Sequence, residues 1–286
     1  MKLGLVLGGG LGKGAFQLGA LKALAEVFPP EAFSCISTSS IGIMNGLAFV
    51  TGQLAEAEYI WTHIEFNGMH GFAKFVRKPD YYERMFSRIR ELRIPIPAFY
   101  SSYLAIPKPK LHYVNLAEME EGQYSDYLRA GVAMPPFCRP VPVNGVKGID
   151  GAVVDNIPVL PVLEHDCDYI IAIYFDEDDY RFVSPEVDRK VLRLNIMDEG
   201  IIKGTFCFDR EYVDSLLEKG AEACRKKLEA WEPLIRSGEP IPADYAAGTA
   251  GKRKSMWYTG DMLLNRVNTA TKKVAGYQID RTEAKE

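Results

Sequence analysis

Apolar and polar positions change rhythm repeatedly along the chain, and each rhythm predicts an element. Residues 3–7 (LGLVL) form an unbroken apolar run, as in a parallel strand covered on both faces. A glycine-rich loop at 8–14 follows. Phe16, Leu18, Leu21, Leu24 and Ala25 then recur at helical spacing, which predicts a helix over 15–27 closed by Pro29-Pro30. A second short strand at 33–37 (FSCIS) leads into a second apolar helix at 41–50. Further strands are expected at 111–115, 169–175 and 191–196, and further helices at 54–64 and 210–231. The last is amphipathic through Val213, Leu216, Leu217, Ala221, Cys224 and Leu228. This order points to an α/β fold with a mainly parallel, doubly wound sheet. Residues 66–110 break the pattern. Their aromatics, prolines and basic side chains, including IPIPAFYSSYLAIP at 94–107, read as a cap-like excursion. Pro, Gly, Ala and Lys enrich 233–286, which reads as a C-terminal extension.

Composition narrows the function classes. With 286 residues, 47% of them hydrophobic, the chain can bury a sizeable core. A net charge of −4 argues against a dedicated nucleic-acid binder. Cys35, Cys138, Cys167, Cys207 and Cys224 are scattered and form no CxxC pair, so reduced thiols in a cytoplasmic protein are expected and a zinc site is not. Lys13 interrupts the first apolar run before any cleavage site, so 2–7 reads as a strand rather than a signal peptide. No apolar run reaches the length of a transmembrane helix.

Gly8, Gly9, Gly10, Gly12 and Gly14, with Lys13 among them, join the first strand to the first helix. Glycine-rich backbone exposes consecutive N–H groups beside the positive end of a helix dipole, so the loop is built for negative charge. A Walker loop is excluded, because Leu7 and Gly14 stand where glycine and a hydroxyl are required. A dinucleotide fingerprint fits Gly10 to Ala15 but lacks its acidic residue after the second strand. The remaining reading is an oxyanion hole, in which amides meet charge that develops during acyl transfer.

Ser40 lies between the second strand and the second helix, with Gly42 two residues on, as in a nucleophile elbow. The bland reading is a helix-capping serine. Ser37 and Ser39 have no glycine two residues later and are poorer candidates. Asp150, between Ile149 and Gly151-Ala152, is a carboxylate flanked by small residues; an ordinary Asp-Gly turn is its bland reading, and Asp155 its rival. His165 follows in the order of a Ser-Asp-His triad, but it precedes a strand and so belongs at the wrong edge of the sheet. His112 shares that defect, and His63 and His70 fall in a helix and the excursion. A Ser–Asp dyad therefore fits better than a triad.

GGGLGKGAFQLGALKAL (8–24), TSSIGIMNG (38–46), AMPPF (133–137) and IDGAVVDNIPV (149–159) together resemble the patatin-like phospholipase family. That resemblance runs over about 1–231. It implies a single three-layer αβα domain without metal or organic cofactor, in which Ser40 is nucleophile, Asp150 is base, amides around Gly9, Gly10 and Gly12 hold the oxyanion and Lys13 is the loop's basic residue. Thr38 departs from the family's GxSxG elbow, so a catalytically impaired member is one alternative and a dinucleotide-binding module another. The implied substrate is a lipid acyl ester. The apolar groups at 94–107 and the charges Lys252-Arg253-Lys254 and Lys272-Lys273 extend that expectation to peripheral contact with a membrane surface.

Overall fold

The continuous apolar runs become the middle of a sheet. The computed structural model describes residues 2–64, 68, 70, 97–119, 124–175, 187, 189–196, 201 and 206–242, and the backbone of 276–280. Its strands are β1 (Leu3–Leu7), β2 (Phe33–Thr38), β3 (Ala98–Ile106), β4 (Lys110–Asn115), β5 (Val141–Val143), β6 (Val146–Asp150), β7 (Tyr169–Tyr174), β8 (Val191–Asn195) and β9 (Gly276–Asp280). Its helices are α1 (Gly14–Val27), α2 (Ile41–Val50), α3 (Leu54–Thr62), α4 (Tyr124–Gly131), α5 (Leu160–Glu164) and α6 (Arg210–Ser237). The sheet runs β5-β6-β3-β2-β1-β7-β8, with β4 on β3 and β9 on β4. The β3-β2-β1-β7-β8 stretch is parallel, and β6, β5 and β4 attach antiparallel.

Each strand of the centre is buried on both faces, which is why its sequence does not alternate. Leu3, Leu5 and Leu7 face the core shared with α1, α2, α3 and α6. Val6, Cys35, Ile170 and Ala172 face the opposite core, closed by Val154, Ile157, Val159 and Val162 at and before α5. The architecture is the expected αβα sandwich with a mainly parallel sheet. Among the described residues, no helix is long and apolar enough to cross a membrane.

Two boundaries differ from expectation. Residues 98–106, assigned to the excursion, are the buried strand β3. Pro95, Pro97 and Pro107 bracket this strand rather than interrupt it, and the buried hydroxyls of Ser101 and Ser102 disguise its apolar character. The remainder of the excursion, apart from its edges, lies outside the described residues, as do Lys252-Arg253-Lys254 and Lys272-Lys273. Helix α6 passes through Pro233 and stops only at Gly238, whose left-handed backbone (φ 74°) closes the last turn onto the Leu234 and Ile235 carbonyls.

Candidate active site

Strand β3 has two edges, and their occupancy builds the site. β4 takes one edge over Tyr100–Ala105. The other is shared: β2 pairs it in parallel at 98–101, and β6 pairs it antiparallel at 103–106. The C-terminal ends of β2 and β6 therefore run toward each other along one line. Thr38 lies opposite Ser101 and Asp150 opposite Tyr103. Two residues of extended strand span about 7 Å. The chain leaves β2 into the Ser39-Ser40 turn and leaves β6 at Asp150, so both segments open into the same gap.

Ser40 occupies that turn with φ 52° and ψ −128°, a backbone conformation that costs a non-glycine residue about 1–3 kcal/mol. Although Ser40 is the N-cap of α2, its side chain makes no capping hydrogen bond, so the bland reading of this serine does not hold. Gly42 permits the sharp corner, since a Cβ there would lie 2.4 Å from the Leu7 carbonyl oxygen. Thr38 is accommodated. Its hydroxyl donates to the Tyr100 carbonyl at 2.7 Å, and its methyl faces Gly46, where a Cβ would lie 3.0 Å away.

The Asp150 carboxyl is fully buried. Oδ1 accepts the Ala152 N–H at 2.9 Å, the part of the Asp-Gly turn that the bland reading foresees. Oδ2 has no hydrogen-bond partner among the described residues. Burial raises the carboxyl pKa to about 7, against the lowering pull of the Ser40 hydroxyl and the Ala152 N–H. The Ser40 hydroxyl thus favours the ionised carboxyl, while Oδ2 has no hydrogen-bond partner among the described residues. Asp155 is engaged elsewhere: its carboxylate accepts from the Tyr113 hydroxyl and its carbonyl from Ser39. His165 hydrogen-bonds Tyr100 at 3.0 Å, and burial lowers its pKa; the charge of Lys2, at the start of β1, also reaches it. It sits toward the far end of the sheet from Ser40.

The glycine loop closes the third side. A Cβ on Gly9 would meet the Ser40 Cβ and the Asn156 Oδ1, each at 2.6 Å, so only glycine lets the loop lie against the elbow. Four of the six loop amides named from sequence already have acceptors. Gly8 donates to Ile173, Gly9 to Asn156, Lys13 to Gly10, and Gly14 to the Gly12 and Leu11 carbonyls. Among the described residues, the amides of Gly10, Leu11 and Gly12 have no acceptor. Leu11 adopts φ 48°, a second strained non-glycine residue at the same site. Lys13 is buried at the end of this turn.

The Patatin-like phospholipase model matches residues 5–163, more than half of the chain, including the glycine loop, the Ser40 turn and Asp150 to Asn156. The chain belongs to that family. It is 26% identical over 196 residues to lysophospholipase NTE1 of Kluyveromyces lactis, covering 60% of this chain and 12% of that protein. NTE1 of Candida glabrata matches at the same identity, with 60% and 10% covered. The match thus spans about an eighth or less of these relatives' length. VipD from Legionella pneumophila shares the fold at a TM-score of 0.51 and 12% identity, over 80% of this chain and 67% of that one.

In this patatin-like chain, the loop is fixed by residues that sequence reasoning passed over. Gln17 Nε2 donates to the Gly8 carbonyl at 3.0 Å and to the Ile173 carbonyl at 3.3 Å. Asn45 Nδ2 donates to the Gly14 carbonyl at 2.8 Å and to Gln17 Oε1 at 3.0 Å, and Trp61 donates to Asn45 Oδ1 at 3.2 Å. This buried network ties both ends of the glycine loop to α1, α2 and α3. Its signal in the sequence is a Gln on the apolar first turns of α1 and a lone Asn inside the otherwise apolar α2. Ser102, in the gap between β2 and β6, donates to Ser39 Oγ at 3.2 Å.

Proposed function

We propose that this chain hydrolyses carboxylic esters of lipids with Ser40 as nucleophile and Asp150 as general base. The observation that supports it most is the convergence of an uncapped, strained serine, a buried carboxyl with one unbonded oxygen, and unpaired loop amides at one gap in the sheet. Asp150 takes the Ser40 proton as Oγ attacks the ester carbonyl, and the amides of Gly10, Leu11 and Gly12 receive the oxyanion. One such donor is typically worth about 10²–10³ in rate. Collapse expels the alcohol, which leaves with the proton from Asp150. Water, deprotonated by the same carboxylate, then attacks the acyl-enzyme; the tetrahedral intermediate collapses, Ser40 recovers a proton and the acid is released.

A lipid substrate is favoured by family membership and by the lysophospholipase relatives. The test is a panel of phospholipid, lysophospholipid and short-chain aryl esters, run on the native chain and on Ser40→Ala. The native chain should hydrolyse a lipid ester and label with a fluorophosphonate, and Ser40→Ala should do neither. Because the base must be ionised, kcat/KM should rise with pH through about 7. Turnover or labelling that survives Ser40→Ala would overturn the assignment.

A further inference from the structure

Asn156 is joined to Gly9 twice. Its Oδ1 accepts the Gly9 N–H at 2.9 Å, and its Nδ2 donates to the Gly9 carbonyl at 3.1 Å. A primary amide side chain is thereby paired with one residue of the glycine loop, across a sequence separation of 147. The second bond bears on the chemistry. Gly9 and Gly10 share a trans peptide, in which the C=O and N–H point in opposite directions. Holding the Gly9 carbonyl toward Asn156 therefore turns the Gly10 N–H away from Asn156, and among the described residues that N–H has no acceptor. That bond also polarises the peptide, strengthening its N–H as a donor. Unclamped, a peptide between two glycines rotates with little steric resistance, because neither residue carries a Cβ.

Asn156 is also fixed to the other parts of the site. It follows Asp155, whose carbonyl accepts from Ser39 beside Ser40 and whose carboxylate accepts from Tyr113 on β4. Asp155 N–H in turn donates to the Gly151 carbonyl, next to Asp150. The segment from Asp150 to Asn156 thus touches all three motifs.

We infer that Asn156 is a positioning residue that sets the direction of the Gly10 N–H through its paired hydrogen bonds to Gly9. The inference rests on the hydrolase reading for its effect on rate, but the clamp itself is observable without turnover.

Two variants separate the two bonds. Asn156→Asp keeps an acceptor for the Gly9 N–H and removes the donor to the Gly9 carbonyl, at nearly unchanged volume. Asn156→Ala removes both. Each should lower kcat by about 10- to 100-fold, short of or at the low end of the loss for deleting an oxyanion donor, with KM changed less than about threefold. By hydrogen–deuterium exchange, Gly9 should lose protection in Asn156→Ala and keep it in Asn156→Asp. Asn156→Asp retaining half or more of the wild-type kcat would overturn the inference, as would a loss confined to KM. If Asn156→Asp fails to fold, kcat, KM and Gly9 exchange in Asn156→Ala decide. A native chain inert on every ester would sink the hydrolase reading instead, and unchanged Gly9 exchange in Asn156→Ala would then sink the clamp.

Discussion

Replacing Asp150 with asparagine should shift stability toward the variant as pH rises. In the folded chain, burial lifts this carboxyl from 3.8 to about 7. An acid with a raised folded pKa holds its proton more tightly in the folded state than in the unfolded one. Its contribution to stability is complete below about 4, shrinks as pH climbs, and is lost above about 7. The displacement is about three pH units, each equivalent to about 1.4 kcal/mol, so ionising Asp150 costs up to about 4 kcal/mol. The substituted amide does not titrate. It brings its own penalty, because an Nδ2 placed where Oδ2 has no partner is an unsatisfied donor worth about 1–3 kcal/mol. That penalty is the same at every pH and cancels when the variant's advantage is compared across pH. Urea unfolding of both proteins at pH 4 and pH 8.5 measures it. The difference in unfolding free energy should move in favour of Asp150→Asn by up to about 4 kcal/mol, while hydrolysis is abolished. A difference that stays flat within about 1 kcal/mol would refute a buried, poorly solvated carboxylate at this position.

Three further substitutions probe the frame around it. Gly42→Ala puts a Cβ 2.4 Å from the Leu7 carbonyl oxygen, so α2 must retreat from β1; thermal unfolding should report a loss of about 1–3 kcal/mol, with ester hydrolysis lost as well. Gln17→Leu strips the Gly8 carbonyl and Asn45 of their buried partner and should cost about 1–3 kcal/mol by denaturant titration; a neutral result would show that the network does not hold the loop. His165→Ala breaks only the bond to Tyr100 and should leave kcat within about twofold; a hundredfold fall with the fold intact would restore a histidine to the mechanism.

The central sheet was legible because β1 and β7 are apolar throughout, β2 and β8 are short runs built mostly of apolar residues, and helices of clear period follow β1 and β2. β3 was not, since its Ser101 and Ser102 are buried polar residues whose partners are chosen by the tertiary structure, and its prolines sit at its ends. The candidate site was legible as residue types and spacing: Ser40 with Gly42, Asp150 with Gly151, and the glycines of the loop. Which amides remain free was not, because Gly8, Gly9 and Gly14 look like Gly10 and Gly12 in the sequence. Their roles are divided by Asn156, Ile173 and the 3-10 turn at Leu11–Lys13, and the first two lie more than a hundred residues away. Leu11 carried no signal, as nothing in a leucine announces a left-handed backbone.

β2 and β6 abut end to end against a third strand, so the reach from hydroxyl to carboxyl is gauged by neither of the segments that bear them. It is counted out in covalent units of β3 between Ser101 and Tyr103. Removing one residue there would draw the two ends together by about 3.3 Å and turn every later side chain of β3 to the opposite face. An insertion or deletion at Ser102 would therefore displace the Ser40 turn relative to Asp150, whereas a side-chain exchange on β3 leaves that spacing unchanged.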